Sequence, residues 1–290
     1  MATESTGKSR LALITSMVIF GTIGLLRKYI ELPSSIIALA RAMIGTVFLL
    51  ILLLLKRQKP GLTAVRKNLP SLLLSGVILG FNWILLFEAY LYTTVATATL
   101  CYYMEPVLVI LASAVLFREK LTLKKLLCIL IAGVGIVLVS GILKAGFHSL
   151  AELRGVALGL GAAALYAGVV LLNKRINGIA PMDRTIVQLA VAAVVLLPYT
   201  LLTEDWSQLR LDNTGLILLI IAGIVHTGIA YALYFGSIRI LPTQTVALYS
   251  YLDPILAVIL SALFLQEAIS PATLVGAVLI LGAALLSERT

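Results

Sequence analysis

Apolar residues run along the chain in blocks of about twenty, and charged residues gather in the short gaps between the blocks. A hydrocarbon core of roughly 30 Å takes about 20 helical residues to cross. Ten blocks reach that length: 11–29, 33–55, 70–92, 94–117, 122–143, 154–176, 183–203, 213–238, 241–266 and 271–287. The gaps carry breakers, among them Leu32-Pro33, Lys59-Pro60-Gly61, Ala180-Pro181, Leu241-Pro242 and Ser270-Pro271. No stretch has the mixed pattern of a soluble domain. The pattern predicts an all-α integral membrane protein with ten transmembrane helices.

Composition agrees. The chain has 290 residues, 61% hydrophobic and 12% charged, against about 25% charged in soluble chains. A net charge of +9 raises nucleic acid as a partner, but the basic residues sit in loops between apolar spans, which argues against it. With the N-terminus inside, the cytoplasmic segments hold most of the Lys and Arg, including Lys8, Arg10, Lys56, Arg57, Lys59, Arg66, Lys67, Arg118, Lys120, Lys124, Lys125, Lys174, Arg175, Arg184, Arg239 and Arg289. The outer loops hold Arg27, Lys28, Lys144, Arg154 and Arg210. That bias puts both termini in the cytoplasm, in the cell membrane. Lys8 and Arg10 before an apolar run imitate a signal peptide, but many equal spans follow and no small-residue cleavage site is evident. Cys101 and Cys128 lie within apolar runs and read as small buried hydrophobes rather than a disulfide framework or metal cluster.

The sequence also repeats itself. Residues 103–119, YMEPVLVILASAVLFRE, match 251–267, YLDPILAVILSALFLQE. At one constant offset Tyr103 meets Tyr251, Glu105 meets Asp253, Pro106 meets Pro254, Ser113 meets Ser261 and Glu119 meets Glu267. LRKYI at 26–30 resembles LNKRI at 172–176, and Gly76 falls near Gly223. The spans thus form two groups of five, residues 1–146 and 147–290. Five is odd, so the second group enters the membrane from the opposite side. Inverted repeats of this kind suit secondary transporters, with a site between the halves near the bilayer midplane; a channel or scaffold could share the layout.

These residues carry a resemblance. The five-plus-five layout, the Y-x-[ED]-P-(apolar)-E pattern in spans four and nine, and FNWILLFEAYLYTTVATATLCYY resemble the EamA-domain transporters of the drug/metabolite transporter superfamily. The resemblance covers nearly the whole chain. It implies a ten-helix bundle around a central cavity lined by spans three, four, eight and nine. It also implies small-metabolite substrates such as amino acids, often moved outward, with quaternary-amine importers among its members.

Polar residues at bilayer depth are costly and usually face the protein interior. Glu88, within ILLFEAY, reads either as a proton-coupling group or cation partner, or as a neutral acid hydrogen-bonded to a neighbouring helix; desolvation favours its protonated form. Glu105 and Asp253 have Tyr102 and Tyr249 one turn back on the same face. Each acid could shape a pocket or merely steady a backbone loosened by its own proline. Pro106 and Pro254 each remove a helical hydrogen bond, so a kink is expected at each, static or hinge-like. Arg41 could bind a substrate carboxylate; pairing with a buried acid or snorkelling to the surface is the preferred expectation. His226 suits proton exchange, but more often such a residue is neutral and hydrogen-bonded. Trp83, Asn82 and Tyr231 are pocket candidates, while Tyr90 and Tyr92 fit an interfacial belt. Glu119 and Glu267 lie near helix ends as structural or gating acids. Gly76-x-x-x-Gly80 and Gly155-x-x-x-Gly159 fit close helix packing.

No catalytic set emerges, so the chain reads as a non-enzyme without cofactor or metal. The expected function is secondary transport of an amino acid or related amine. Glu88 and Glu105 are the candidates for coupling to protons. The alternatives are a choline-like quaternary ammonium in an aromatic box of Tyr102, Trp83, Tyr231 and Tyr249, and a lipid-flipping or lipid-modifying protein. The expected partners are the bilayer and a small solute, with no nucleic acid, and the chain is expected to be a monomer or weak homo-oligomer.

Overall fold

The computed structural model describes residues 2–57, 61–117, 122–140, 150–238 and 240–288. The Lys59-Pro60 gap, Glu119 with its neighbours Arg118 and Lys120, and Lys144, His148, Arg239 and Arg289 lie outside the described residues. Among those described, regular structure is entirely helical. In chain order the elements are α1 (Ala2–Gly21), α2 (Ile23–Lys28), α3 (Ser34–Leu55), α4 (Leu62–Lys67), α5 (Leu69–Tyr92), α6 (Val95–Tyr102), α7 (Glu105–Phe117) and α8 (Leu123–Val139). Then come α9 (Leu150–Asn173), α10 (Pro181–Thr203), α11 (Asn213–Ile221), a π-helical stretch (Ala222–Ile229), α12 (Ala230–Ile238), α13 (Thr243–Ser250), α14 (Leu252–Phe264) and α15 (Pro271–Glu288).

Among the described residues seven helical stretches are long and apolar enough to cross a membrane, and Leu248–Phe264 and Pro271–Leu286 are shorter apolar helices. The protein is a multi-pass membrane protein. Large apolar side chains such as Leu54, Leu202 and Val278 point outward and are exposed, where lipid covers them. The gap prolines act as helix starters: Pro33 and Pro242 cap α3 and α13, and Pro181 and Pro271 open α10 and α15. Elsewhere hydroxyl and carboxylate side chains satisfy the first turn. Thr94 accepts from Thr97 N at 3.0 Å, and Asp212 from Gly215 N at 2.8 Å.

Spans four and nine are each broken. Tyr103 and Met104 separate α6 from α7, and Tyr251 separates α13 from α14. Both breaks lie a few residues before the prolines, at Pro106 and Pro254. Span eight stays continuous but widens into the π-helical stretch around His226.

The packing pairs helices in a reciprocal way. Helix α5 packs along α9 and α10, while span eight packs along α1 and α3. Helices α6 and α7 lie on α9, whereas α13 and α14 lie on α1. Matched spans also meet each other, as α3 with α10, α8 with α15, and α6 with α14. Glycines sit at these crossings. A β-carbon on Gly76 would lie 2.8 Å from Gln188 O, one on Gly159 2.9 Å from Cys101 Cβ, and one on Gly135 2.9 Å from Gly276 O. Each is too close for any other residue unless a neighbouring helix moves.

Helix α8 contains its own control for this packing. Gly135 faces α15, whereas a β-carbon on Gly133, two residues earlier, would meet nothing within 4 Å. Gly135→Val should lower stability by about 1–3 kcal/mol through overpacking. Gly133→Ala should leave it unchanged or raise it by about 0.5–1 kcal/mol, since alanine is the better helix former. Thermal unfolding of the detergent-solubilised protein compares the two; equal effects would mean that the α8–α15 contact is not close-packed.

Candidate functional site

A cavity of about 660 Å³ lies between the helices. Its wall draws on both groups of spans: Trp83, Phe87 and Tyr90 from α5, Tyr102, Tyr103, Glu105 and Pro106 from the first break, Tyr166 from α9, and Tyr231 and Tyr234 from α12. Ser250, Tyr251 and Asp253 come from the second break. The cavity reaches the surface where Lys174, exposed just past the end of α9, and Arg184, in the first turn of α10, join its lining.

The two breaks meet at this wall. Tyr103 donates its hydroxyl to Asp253 Oδ2 at 2.8 Å and to Ser250 O at 3.3 Å. Ser250 O is the carbonyl four residues before Pro254, which has no N–H to offer it. A tyrosine from the first half therefore supplies a donor that the proline of the second half removes. Around it the rings form a continuous aromatic lining: Tyr102 and Tyr166 have centroids 5.6 Å apart, Tyr103 and Tyr251 6.3 Å, and Tyr231 and Phe20 5.4 Å.

Arg41 stands in this lining. It is buried, in the middle of α3, with its guanidinium 4.3 Å from the centroid of Trp83 and 5.2 Å from that of Phe87. Its Nε donates to Thr227 Oγ1 at 3.2 Å. Thr227 belongs to the π-helical stretch, and its hydroxyl also donates to Ala222 O, five residues back, at 3.1 Å. Gly223 and Gly228 let this stretch press on Ile44 and Phe48 of α3, which carries Thr227 to the guanidinium. The expectation that Arg41 pairs with an acid or snorkels is corrected. Among the described residues no carboxylate comes within 4 Å of it, and its place at mid-helix, packed against aromatic faces, holds it inside.

Trp83, Tyr102, Tyr231, Glu105, Asp253 and Pro106 thus come together on one wall. Glu88, Asn82, His226, Tyr249 and Pro254 are not part of it. Glu88 accepts a hydrogen bond from Ser34 Oγ at 2.7 Å, and Ser34 Oγ accepts one from Arg27 Nη2 at 3.2 Å. This network ties α5 to the α2–α3 turn. Asn82 donates from Nδ2 to Ala162 O at 2.6 Å, joining α5 to α9. His226 shares a 2.8 Å hydrogen bond between Nε2 and Thr22 Oγ1. Tyr249 packs beside Leu13, Met17 and Leu241. Tyr90, expected in an interfacial belt, is instead buried on the cavity wall, with its hydroxyl 3.3 Å from Thr99 Oγ1. Tyr234, which decorates a candidate cavity span in the sequence, joins the wall; Tyr166 and Gln188 are wall residues that the sequence pattern does not mark, and Lys174 and Arg184 read there only as loop charges. Tyr166 sits in a run of Gly and Ala, LGAAALYAG, whose small neighbours are the available signal.

At the opposite end from Lys174 the helices are tied shut. Both carboxylate oxygens of Glu267 accept from Val95 N, at 3.0 and 2.9 Å, at the start of α6. Lys28 Nζ lies 4.0 Å from the same carboxylate and donates to Thr93 O at 3.5 Å. Ser35, in the first turn of α3, donates to Glu204, the residue that follows α10.

Comparison with known proteins now bears on the chain. The model of the EamA-like transporter family matches residues 8–141 and again residues 153–288. The chain is 33% identical over 256 residues to the uncharacterized transporter YxxF of Bacillus subtilis (strain 168), covering 88% of this chain and 81% of that protein. It is 30% identical over 233 residues to the protein PecM of Dickeya dadantii (strain 3937), covering 77% and 76%. A protein of known crystal structure superimposes with a TM-score of 0.65 over 98% of this chain and 97% of its own, at 20% identity, a likeness of fold alone. The helical bundle and the two matched segments, together with these relatives, make this chain a member of the EamA-like transporter family.

Proposed function

We propose that the protein is a secondary transporter of a small metabolite, an amino acid or related amine, in the cytoplasmic membrane with both termini inside. In this reading residues 1–146 and 147–290 are inverted five-helix halves, and alternating access exchanges their conformations. The observation that carries it is the cavity, walled by corresponding elements of both halves, open beside Lys174 and tied shut at the Lys28–Glu267 end. The reciprocal packing supports the inverted relation: α5 on α9 and α10 answers span eight on α1 and α3, as a two-fold axis in the membrane plane requires.

A solute would enter from the Lys174 end, lie among the tyrosines and face Glu105 and Asp253. Of the two proton-coupling candidates, Glu105 stands on the cavity wall and Glu88 lies off it, bonded to Ser34. Release to the other side requires the Glu267–Val95 and Lys28–Glu267 contacts to break. A carboxylate capping a helix N-terminus contributes about 1 kcal/mol, small enough for substrate binding to overcome.

The direct test is solute flux into liposomes containing the purified protein, across a panel of amino acids and amines. Flux of at least one is expected, and none across the panel from folded protein would overturn the reading. With a transported solute in hand, Glu105→Gln should remove the response of flux to a pH gradient, while Glu88→Gln should keep it. The reverse result would reassign the proton site. Glu267→Gln should shift the population toward opening at the latched end by about fivefold for about 1 kcal/mol. A cysteine placed at Leu86, on the cavity wall, should then react faster with an impermeant thiol reagent added outside; unchanged labelling would mean that the latch does not govern access.

A further inference from the structure

We infer that Arg41 is the anchor for a carboxylate on the transported solute, so that the substrate is a carboxylic acid, in the first instance an amino acid, rather than a simple amine. This rests on the transport reading for its biological meaning, but the binding claim stands on geometry alone.

A guanidinium buried at bilayer depth is severely disfavoured unless something compensates its charge. Around Arg41 the compensation is incomplete. Trp83 and Phe87 take the face of the guanidinium by cation–π contact. Thr227 takes one edge position, the Nε hydrogen bond. No carboxylate among the described residues lies within 4 Å, and Arg41 lines the cavity. The donors left over are those of the terminal nitrogens, and they project in the plane of the group. A carboxylate matches that planar edge with two parallel, charge-assisted hydrogen bonds. The aromatic contacts leave this edge open because they use the faces. The stacked rings and the Thr227 bond also fix the plane in advance, which lowers the ordering cost of binding.

The rest of the wall fits a solute held this way. Lys174 and Arg184 at the mouth add positive charge that draws an anion inward. Glu105 and Asp253 stand on the same wall as the natural counterparts for an ammonium group, so a zwitterion can span acid and base. The tyrosine faces between them suit an apolar side chain. Near the corresponding place in α10 stands Gln188, which bonds instead to Ser75 Oγ at 2.7 Å and Asn173 Oδ1 at 2.8 Å.

The test uses matched ligands and needs no variant to begin. L-leucine and L-phenylalanine are compared with 3-methylbutylamine and 2-phenylethylamine, which lack the carboxylate, and with 4-methylpentanoate and 3-phenylpropionate, which lack the ammonium. Ligand binding to the folded state raises its unfolding temperature. At millimolar ligand, the wild-type protein in detergent should be stabilised by the amino acids and by the deaminated acids, with the amines binding at least about tenfold more weakly. Arg41→Gln should abolish the preference for acids, and Arg41→Lys, which keeps the charge but not the planar edge, should weaken it. Amines that bind as well as the acids, a carboxylate preference that survives Arg41→Gln, or the absence of any stabilisation by the acids would each overturn the inference. If Arg41→Gln does not fold, the wild-type ligand series decides. Flux of the same compounds in liposomes separates the two claims. Acids that bind without moving leave the anchor intact and remove transport; amines that move as fast as acids leave transport intact and remove the anchor.

Discussion

In hydrocarbon every backbone carbonyl without a partner costs several kcal/mol, and the centre of this protein is organised around that constraint. Pro254 withholds the N–H that Ser250 O would receive in an unbroken helix. The Tyr103 hydroxyl donates there instead and holds Asp253 with the same group. The donor comes from the other half of the chain, so the two breaks are tied where they face each other, and Glu105 and Asp253 stand together on the cavity lining there. Irregular backbone at this depth is tolerated where it is enclosed by protein or borders a cavity. The cavity and the broken helices are therefore parts of one arrangement.

The bundle is legible in the sequence because its signals are long and redundant. Twenty-residue apolar blocks, gap prolines and glycine spacing each report the same helices, and the matched YMEP and YLDP stretches report the breaks. The site is less legible for a specific reason. Sequence periodicity shows which side of a helix is apolar, but in a membrane protein the outward face is apolar as well, so the pattern cannot say which polar residue meets which. Glu88 illustrates this. In the sequence it reads equally as a proton-coupling group or as an acid bonded to a neighbouring helix; in the fold Ser34 bonds it and Arg27 lies next in that chain. In the sequence Arg27 counts only as an outer-loop charge. Tyr90 misleads in the same way, since its nearness to the end of α5 suggests the interface while the turn into α6 folds over it.

Arg41 is hard to read because everything that holds it lies far along the chain. Trp83 and Phe87 lie on α5, and Thr227 is 186 residues away. The local sequence IIALARAMIG contains no hint of them. What brings Thr227 close is the widened π-helical stretch, and π-type bulges recur at functional sites. That widening leaves no mark in the sequence beyond the pair Gly223 and Gly228, which also read as ordinary packing residues.

The two halves are close enough in pattern to pack reciprocally and different enough to specify a ligand. Here the shared features are those that build the bundle: the prolines, the tyrosine–acid marks, and the glycines at the crossings. The unshared ones gather around the cavity. Arg41 faces the solute space where Gln188 is spent on Ser75 and Asn173. In the proposed transport cycle the repeated framework would let each half adopt the other's arrangement. Departure from symmetry would then set what it recognises, because the buried Arg41 guanidinium gives the cavity a direction that the repeated framework lacks.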